Sequence, residues 1–321
     1  MMNGLYFQLL GTRGSRPIFD RDYVRFGGNT TAYKVWASGL FPIYIDGGTG
    51  LFREGCRVLG QVEDFTFLLT HSHWDHILAF PFFEPFYHAG THARFWGTAS
   101  FKETFEDLFQ HQFQTDAFPI HYSELPAHIE FKTVMEGETF LIPEMLSNGN
   151  SDITSPTSRG YLVKTYQMNH PGYDLGYRIT CNGTSIVILT DLAPIEHNHL
   201  GHRMEHFTRA DEQRYYQHLI DFCWDADLLL HDTHFNEHNI TGRESWGHST
   251  EEMAVRLCTE ARAKRLILGH HAPEDNDAAI LKKLENARRL GEPHGLEVLT
   301  PKEDDILQVY AKEARNDVGG Y

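Results

Sequence analysis

Thr70 through His76 reads T-H-S-H-W-D-H and follows directly on the apolar run Phe65-Thr66-Phe67-Leu68-Leu69. Such a run predicts a buried strand whose carboxyl end opens into a polar site. Open α/β sheets place their chemistry there, in the crevice beyond the strand ends. Imidazole and carboxylate together are the donor set of zinc and its first-row neighbours. Four such groups in one short loop are more than a single tetrahedral ion takes easily. His71 and His73 alternate as in an extended segment, whereas Asp75 and His76 are adjacent and point differently. The spacing predicts two neighbouring metals, each taking a pair. The competing reading is a histidine-rich loop in a chain that carries 21 histidines.

A length of 321 residues holds either two domains or one α/β domain, and a single domain over 1–321 is expected. Apolar residues at 41% and aromatics at 13% are ample for a packed core. The formal net charge of -16 argues against broad basic surfaces, so long nucleic acid is not expected as a partner. A small anionic substrate is expected, because two divalent cations would dominate the local field. Cys56, Cys181, Cys223 and Cys258 form neither a disulfide framework nor a thiolate metal site. Met1 to Leu10 lacks the pattern of a secretory leader, and no apolar run approaches membrane-spanning length. A cytoplasmic setting without membrane contact follows as the expectation.

Further strands are predicted at Leu5 to Leu10, Ala32 to Trp36 and Pro42 to Ile45. The last of these runs into Asp46-Gly47-Gly48-Thr49-Gly50, a flexible loop. Tyr161 to Met168, Leu175 to Thr180, Ser185 to Thr190, Leu228 to Leu230 and Arg265 to Leu268 complete the strand set. Phe101 to Phe113, Asp211 to Phe222 and Glu251 to Ala263 have helical spacing, and Asn148 to Ser158 reads as a surface loop. Alternating strands and helices argue α/β. Apolar strands end repeatedly in His or Asp, at His71, His170, Asp191, His231-Asp232 and His270. These endings predict one polar basin at a sheet edge.

Taken together, Asp46, H-S-H-W-D-H, His170, Asp191 and His270 resemble the metallo-β-lactamase superfamily of binuclear metallohydrolases. The resemblance implies a four-layer αββα sandwich, α/β (α+β) in class, with metals at one rim of the paired sheets. It implies His71, His73 and His170 on a first metal, Asp75, His76 and His270 on a second, and Asp191 as the bridging carboxylate. Asp46 then orients a histidine or the metal loop from behind. The ions would be two divalent metals, zinc foremost, with manganese or iron as alternatives.

An aspartate at 191, where the true β-lactamase branch usually has cysteine, disfavours antibiotic hydrolysis. The segments L-L-L-H-D-T-H-F, W-G-H-S-T-E-E-M-A and R-L-I-L-G-H-H are similar to the carboxyl half of ribonuclease Z, with Asp232 in place of its usual Glu. That family inserts a long tRNA-gripping arm where only about twenty residues separate His170 from Asp191 here. G-T-R-G-S-R-P, G-G-N-T-T, H-P-G-Y-D-L-G-Y-R and H-H-A-P-E-D-N-D look like the phosphodiesterase-type relatives, which implies cleavage of small cyclic nucleotides or cyclic phosphates. Relatives are often homodimers, which makes a homodimer possible here.

Two metals would share one activated water and clamp phosphoryl oxygens. Asp75 is the expected orienting group for that water. His248, held by Asp232, is the candidate general acid. A purely structural role for His248 would place it beside a helix cap, with Ser249 and Glu252 at capping-box spacing. Asn29 and Thr30 approach a phosphate, brace the metal loop or make a turn. Arg13 and Arg16 pair with an anion or are surface groups. His271 is expected behind a ligand or at the substrate, facing opposite to His270. His197, His199, His202 and His206 form an accessory metal site or a solvated loop. Phe80 to Tyr87 stacks a base, packs in the core or meets a dimer mate. Rival activities are a thioesterase or lactonase on the same metals, and a non-catalytic metal-binding sensor.

Overall fold

The computed structural model describes residues 4–98, 103–114, 118–143, 160–195, 199–200 and 208–310. Every strand expected above is present: β1 (Leu5–Gly11), β2 (Ala32–Ala37), β3 (Ile43–Ile45) and β4 (Asp64–Leu69) in the first half. β5 (His92–Gly97), β6 (His128–Thr133) and β7 (Thr139–Pro143) follow, and then β8 (Gly160–Gln167), β9 (Leu175–Cys181) and β10 (Thr184–Leu189). β11 (Leu228–Asp232), β12 (Arg265–Gly269), β13 (Glu297–Leu299) and β14 (Ile306–Val309) close the series.

Two sheets result, ordered β14-β1-β2-β3-β4-β5-β6 and β13-β12-β11-β10-β9-β8-β7. β3, β4, β5 and β6 run parallel, as do β10, β11, β12 and β13, so their carboxyl ends emerge together. β3, β4, β10, β11 and β12 are apolar without alternation because each is covered on both faces, whereas the outer strands β5, β6 and β13 alternate or stay open to solvent. Phe7, Val35 and Ile45 meet Val163, Ile179 and Ile188 between the sheets. Outward, Tyr44, Phe65, Phe67 and Leu69 pack under α1 (Leu51–Val58) and a phenylalanine cluster, while α2 (Trp74–Ile77) carries part of the histidine motif. α3 (Phe105–Gln112) adds Phe105 and Phe109 to that cluster. On the far side Val187, Leu189, Leu229 and Leu268 lie under α4 (Arg209–Cys223), α5 (Glu251–Glu260) and α6 (Asp277–Gly291). The layers are helix, sheet, sheet, helix, which is the expected αββα sandwich.

Helix starts differ from expectation where tertiary partners intervene. Thr250, not Ser249, caps α5, accepting from the Met253 amide at 3.4 Å. The Ser249 hydroxyl instead donates to the Leu192 carbonyl. α3 begins at Phe105, and Phe101 lies outside the described residues. So does the expected loop from Asn148 to Ser158. Phe80, Phe83 and Phe86 are fully buried, which settles the aromatic stretch as core rather than base-stacking surface or dimer contact for those three rings. Among the described residues no helix is long and apolar enough to cross a membrane, and all four cysteines are free.

Phe67 stands at the centre of the phenylalanine cluster, stacked on Phe95 at 4.7 Å and edge-on to Phe80 and Phe83 at 5.5 and 5.6 Å. Phe67→Ala is expected to cost about 3–5 kcal/mol of stability. Denaturant unfolding checks this; a midpoint within error of wild type contradicts the packing described.

Candidate metal centre

Strand ends deliver the polar groups, and in two places the backbone turns sharply to do so. Asp46 after β3 and His270 after β12 are non-glycine residues in the left-handed region, at φ 61° and 53°. That conformation is uncommon outside glycine, asparagine and aspartate, and it persists where the surroundings require it. β4 hands over to Thr70 and His71; His73 precedes α2, whose first turn carries Asp75 and His76. His170 follows β8, Asp191 follows β10, and β11 itself ends on His231 and Asp232.

Three donor groups form at one point among the described residues: His234, His248 and His270 make one, and the other two share Asp191. His71, His73, His170 and Asp191 have ligand-type atoms within 4.8 Å of one another, as do Asp75, His76, Asp191 and His270. Asp191 belongs to both, and its two oxygens divide between them. Oδ1 lies 3.3 Å from His76 Nε2 and 3.1 Å from His270 Nε2. Oδ2 lies 3.6 Å from His71 Nε2 and 3.5 Å from His170 Nε2. Asp75 Oδ2 is 3.3 Å from His76 Nε2 and 3.2 Å from His270 Nε2. Donors around a tetrahedral zinc with bonds of about 2.0–2.1 Å stand about 3.3 Å apart, so these spacings fit a cation in each group that shares Asp191. His71 Nε2, His76 Nε2 and Asp191 Oδ1 are buried without a hydrogen-bond partner, as lone pairs kept for a metal must be.

The outer nitrogens are fixed. His76 Nδ1 donates to Asp46 Oδ2 at 2.8 Å, and Asp46 in turn accepts from the Thr70 amide at 2.8 Å and its hydroxyl at 2.9 Å. His170 Nδ1 donates to the Gly247 carbonyl at 2.9 Å. Gly247 has φ 93°, and a Cβ there would stand 2.3 Å from that same nitrogen, so only glycine fits. The Ser15 amide donates to Asp75 Oδ2 at 2.7 Å. Metal-ligating histidines are held in this way, with one nitrogen inward and the other on an acceptor.

Protonation follows burial and neighbours. Burial holds His71 well below its usual range, lowers His73, and takes His170 down to about 3. Burial also pushes Asp75 and Asp191 upward, but the surrounding imidazoles outweigh it and hold both carboxyls well below the usual range. Burial opposes a proton on His76 and His270, yet the carboxylates prevail, raising His76 well above its range and His270 to about 10. Cation uptake at such a site displaces protons.

Beside the groups that share Asp191, His248 Nδ1 donates to Asp232 Oδ2 at 2.9 Å and stands 4.0 Å from Asp191 Oδ2. Asp232 also accepts from the His234 and Leu192 amides, at 2.8 and 3.2 Å. His234 was not anticipated from sequence. Its ring stacks on His248 at 4.2 Å, and burial keeps it well below its usual range. Asp174 was missed too: fully buried, it sits 3.6 Å from His71 Nδ1, and burial beside Asp191 raises it well above the carboxylate range. The signal for His234 was present in H-D-T-H, where every second residue of an extended stretch shares a face.

Several expected site residues lie elsewhere. Arg13 is fully buried, with its Nε and Nη1 donating to the carbonyls of Gly27, Ala272 and Asp275 and its Nη2 left without a partner, so it is not a surface group open to an anion. Asn29 donates to Glu303 at 2.9 Å, away from the donor groups. Thr30 exchanges hydrogen bonds with Thr49 at 2.8 and 2.9 Å and so braces the Asp46 loop. His271 turns away from His270 onto Thr300 at 3.1 Å. His197, His202 and His206 lie outside the described residues, and the His199 amide donates to Asn169 at 2.7 Å.

Residues 43–271 match the beta-lactamase superfamily domain. The chain belongs to that superfamily. Among its curated relatives, ribonuclease Z of Thermoplasma acidophilum is 33% identical over 100 residues, 31% of this chain and 30% of that protein. Human zinc phosphodiesterase ELAC protein 1 is 28% identical over 90 residues, 28% of this chain and 23% of that one. The aligned part is thus less than a third of either relative. A metallo-beta-lactamase fold protein, YhfI from Bacillus subtilis, superposes with TM-score 0.62 at 17% identity, covering 95% of this chain and 99% of that one. One expectation falls here. Long nucleic acid was excluded on net charge, yet relatives of this superfamily chain are named ribonucleases, so charge alone does not exclude it.

Asp46→Asn keeps a residue that tolerates the left-handed backbone while removing the charge behind His76. Zinc affinity, measured by chelator competition, is expected to fall about 10–100-fold. Unchanged affinity would show that Asp46 does not set the His76 ligand.

Proposed function

We propose that this chain is a zinc-dependent, two-metal phosphodiesterase acting on small cyclic nucleotides or related cyclic phosphates, with RNA within the range to be tested. His71, His73 and His170 would hold one ion and Asp75, His76 and His270 the other, with Asp191 between them. Such a pair supplies Lewis acidity to phosphoryl oxygens and lowers the pKa of water towards 7. The zinc phosphodiesterase and ribonuclease names of the relatives support this chemistry.

The residues then divide the work. Asp75, anchored by the Ser15 amide, accepts from and orients the attacking water. The water gives up one proton to bulk solvent, its oxygen bonds to phosphorus as the bond to the leaving alkoxide breaks, and that leaving oxygen needs a proton. His248 is placed to give it: Asp232 fixes Nδ1–H, leaving Nε2 for the transferred proton. This buried pair is the observation that carries the proposal. A poor alkoxide leaving group gains most from a positioned acid, whereas a thiolate gains little, which favours phosphodiester over thioester cleavage. The free cysteines agree with a reducing, cytoplasmic setting.

His248→Ala is expected to lower turnover of a cyclic nucleotide by about 100–10,000-fold while metal content is retained. Assays would run cyclic nucleotides, an RNA substrate, thioester and lactone probes side by side with zinc or manganese. Preference for thioester or lactone would replace the proposal, and no hydrolysis of any probe would favour a sensor.

A further inference from the structure

Trp246 and Arg243 belong to the short helical turn that leads into Gly247 and His248, and have no part in the steps above. Trp246 is 57% exposed, so its indole is open to a ligand. It is nonetheless tied to the reacting groups. Gly247, its neighbour, gives the carbonyl that orients His170. Trp246 also packs on the buried Phe235 ring at 6.3 Å, and Phe235 packs edge-on to His248 at 5.9 Å. The Arg243 guanidinium lies over both Trp246 and Phe235, at 5.4 and 5.9 Å. No carboxylate among the described residues pairs with Arg243, in a chain that carries an excess of acid.

Resting on the phosphodiesterase reading, we infer that Trp246, backed by Arg243, is the platform on which the substrate's leaving-group side stacks a planar nucleobase. An exposed aromatic plane recognises any base through its π face, and a guanidinium behind it adds cation–π and phosphate attraction. The position is consistent with the chemistry, because Trp246 reaches the general acid through Phe235, and the group on the side of the acid is the one that departs. A substrate without a base gains nothing from this surface. The substrate class is therefore nucleotide diesters rather than alkyl diesters. A cyclic nucleotide and an RNA end both carry that base.

The test compares kcat/KM of Trp246→Ala with wild type on three substrates: a cyclic nucleotide, a short oligoribonucleotide and base-free ribose cyclic phosphate. The loss on a base-bearing substrate is expected to exceed the base-free loss by about 5–100-fold. Trp246→Phe is expected to restore most of it. Whichever base-bearing substrate shows the larger excess identifies the source of the base. Equal losses on all three, or none, would overturn the platform. Quenching of tryptophan fluorescence by AMP, lost in Trp246→Phe, reads the stacking without catalysis. Quenching in a protein that hydrolyses no diester would keep the platform and remove the phosphodiesterase reading. Absence of quenching that depends on Trp246 would overturn the platform.

Discussion

One carboxylate facing two ways organises this molecule. Asp191 Oδ1 looks towards His76 and His270, and Oδ2 towards His71 and His170. The residues it joins come from different sheets. His71, His73, Asp75 and His76 hang from the end of β4, while His170, Asp191 and His270 follow β8, β10 and β12. The packing of sheet on sheet thus sets the spacing of the donors. Buried carboxylates and imidazoles would be costly alone, but His76, His170 and His248 each have a hydrogen-bond partner behind them. Asp46, Gly247 and Asp232 belong to that backing layer.

Much of this was legible in the chain. Strands covered on both faces are written as unbroken apolar runs, and abrupt polar endings mark where they leave the core. The split of H-S-H-W-D-H into two pairs follows from local geometry: His71 and His73 lie on an extended stretch, and Asp75 and His76 on a helical turn. What escaped depends on contacts between distant segments. Nothing near Arg13 in sequence announces that it will be buried against the Ala272 and Asp275 carbonyls. Ser249 has the spacing of a cap but is claimed by Leu192 across the fold, which passes the role to Thr250. Asp174 precedes β9 as an ordinary turn residue would, and only the folded rim brings it to His71.

Net charge misleads about polyanions for a physical reason. A charge of -16 is a sum over the whole surface, whereas a polyanion meets one face. Divalent cations held among the donor groups would dominate the field at that rim, whatever the sum over the rest of the surface. Relatives named ribonucleases fit that distinction.

The central claim is that Asp191 separates two cations. Anomalous diffraction at the zinc edge, on crystals of zinc-loaded protein, reads this directly. Two peaks about 3.5–4 Å apart, one on each side of the Asp191 carboxylate, are the result the account predicts. A single peak under saturating zinc, or peaks away from Asp191, would contradict it.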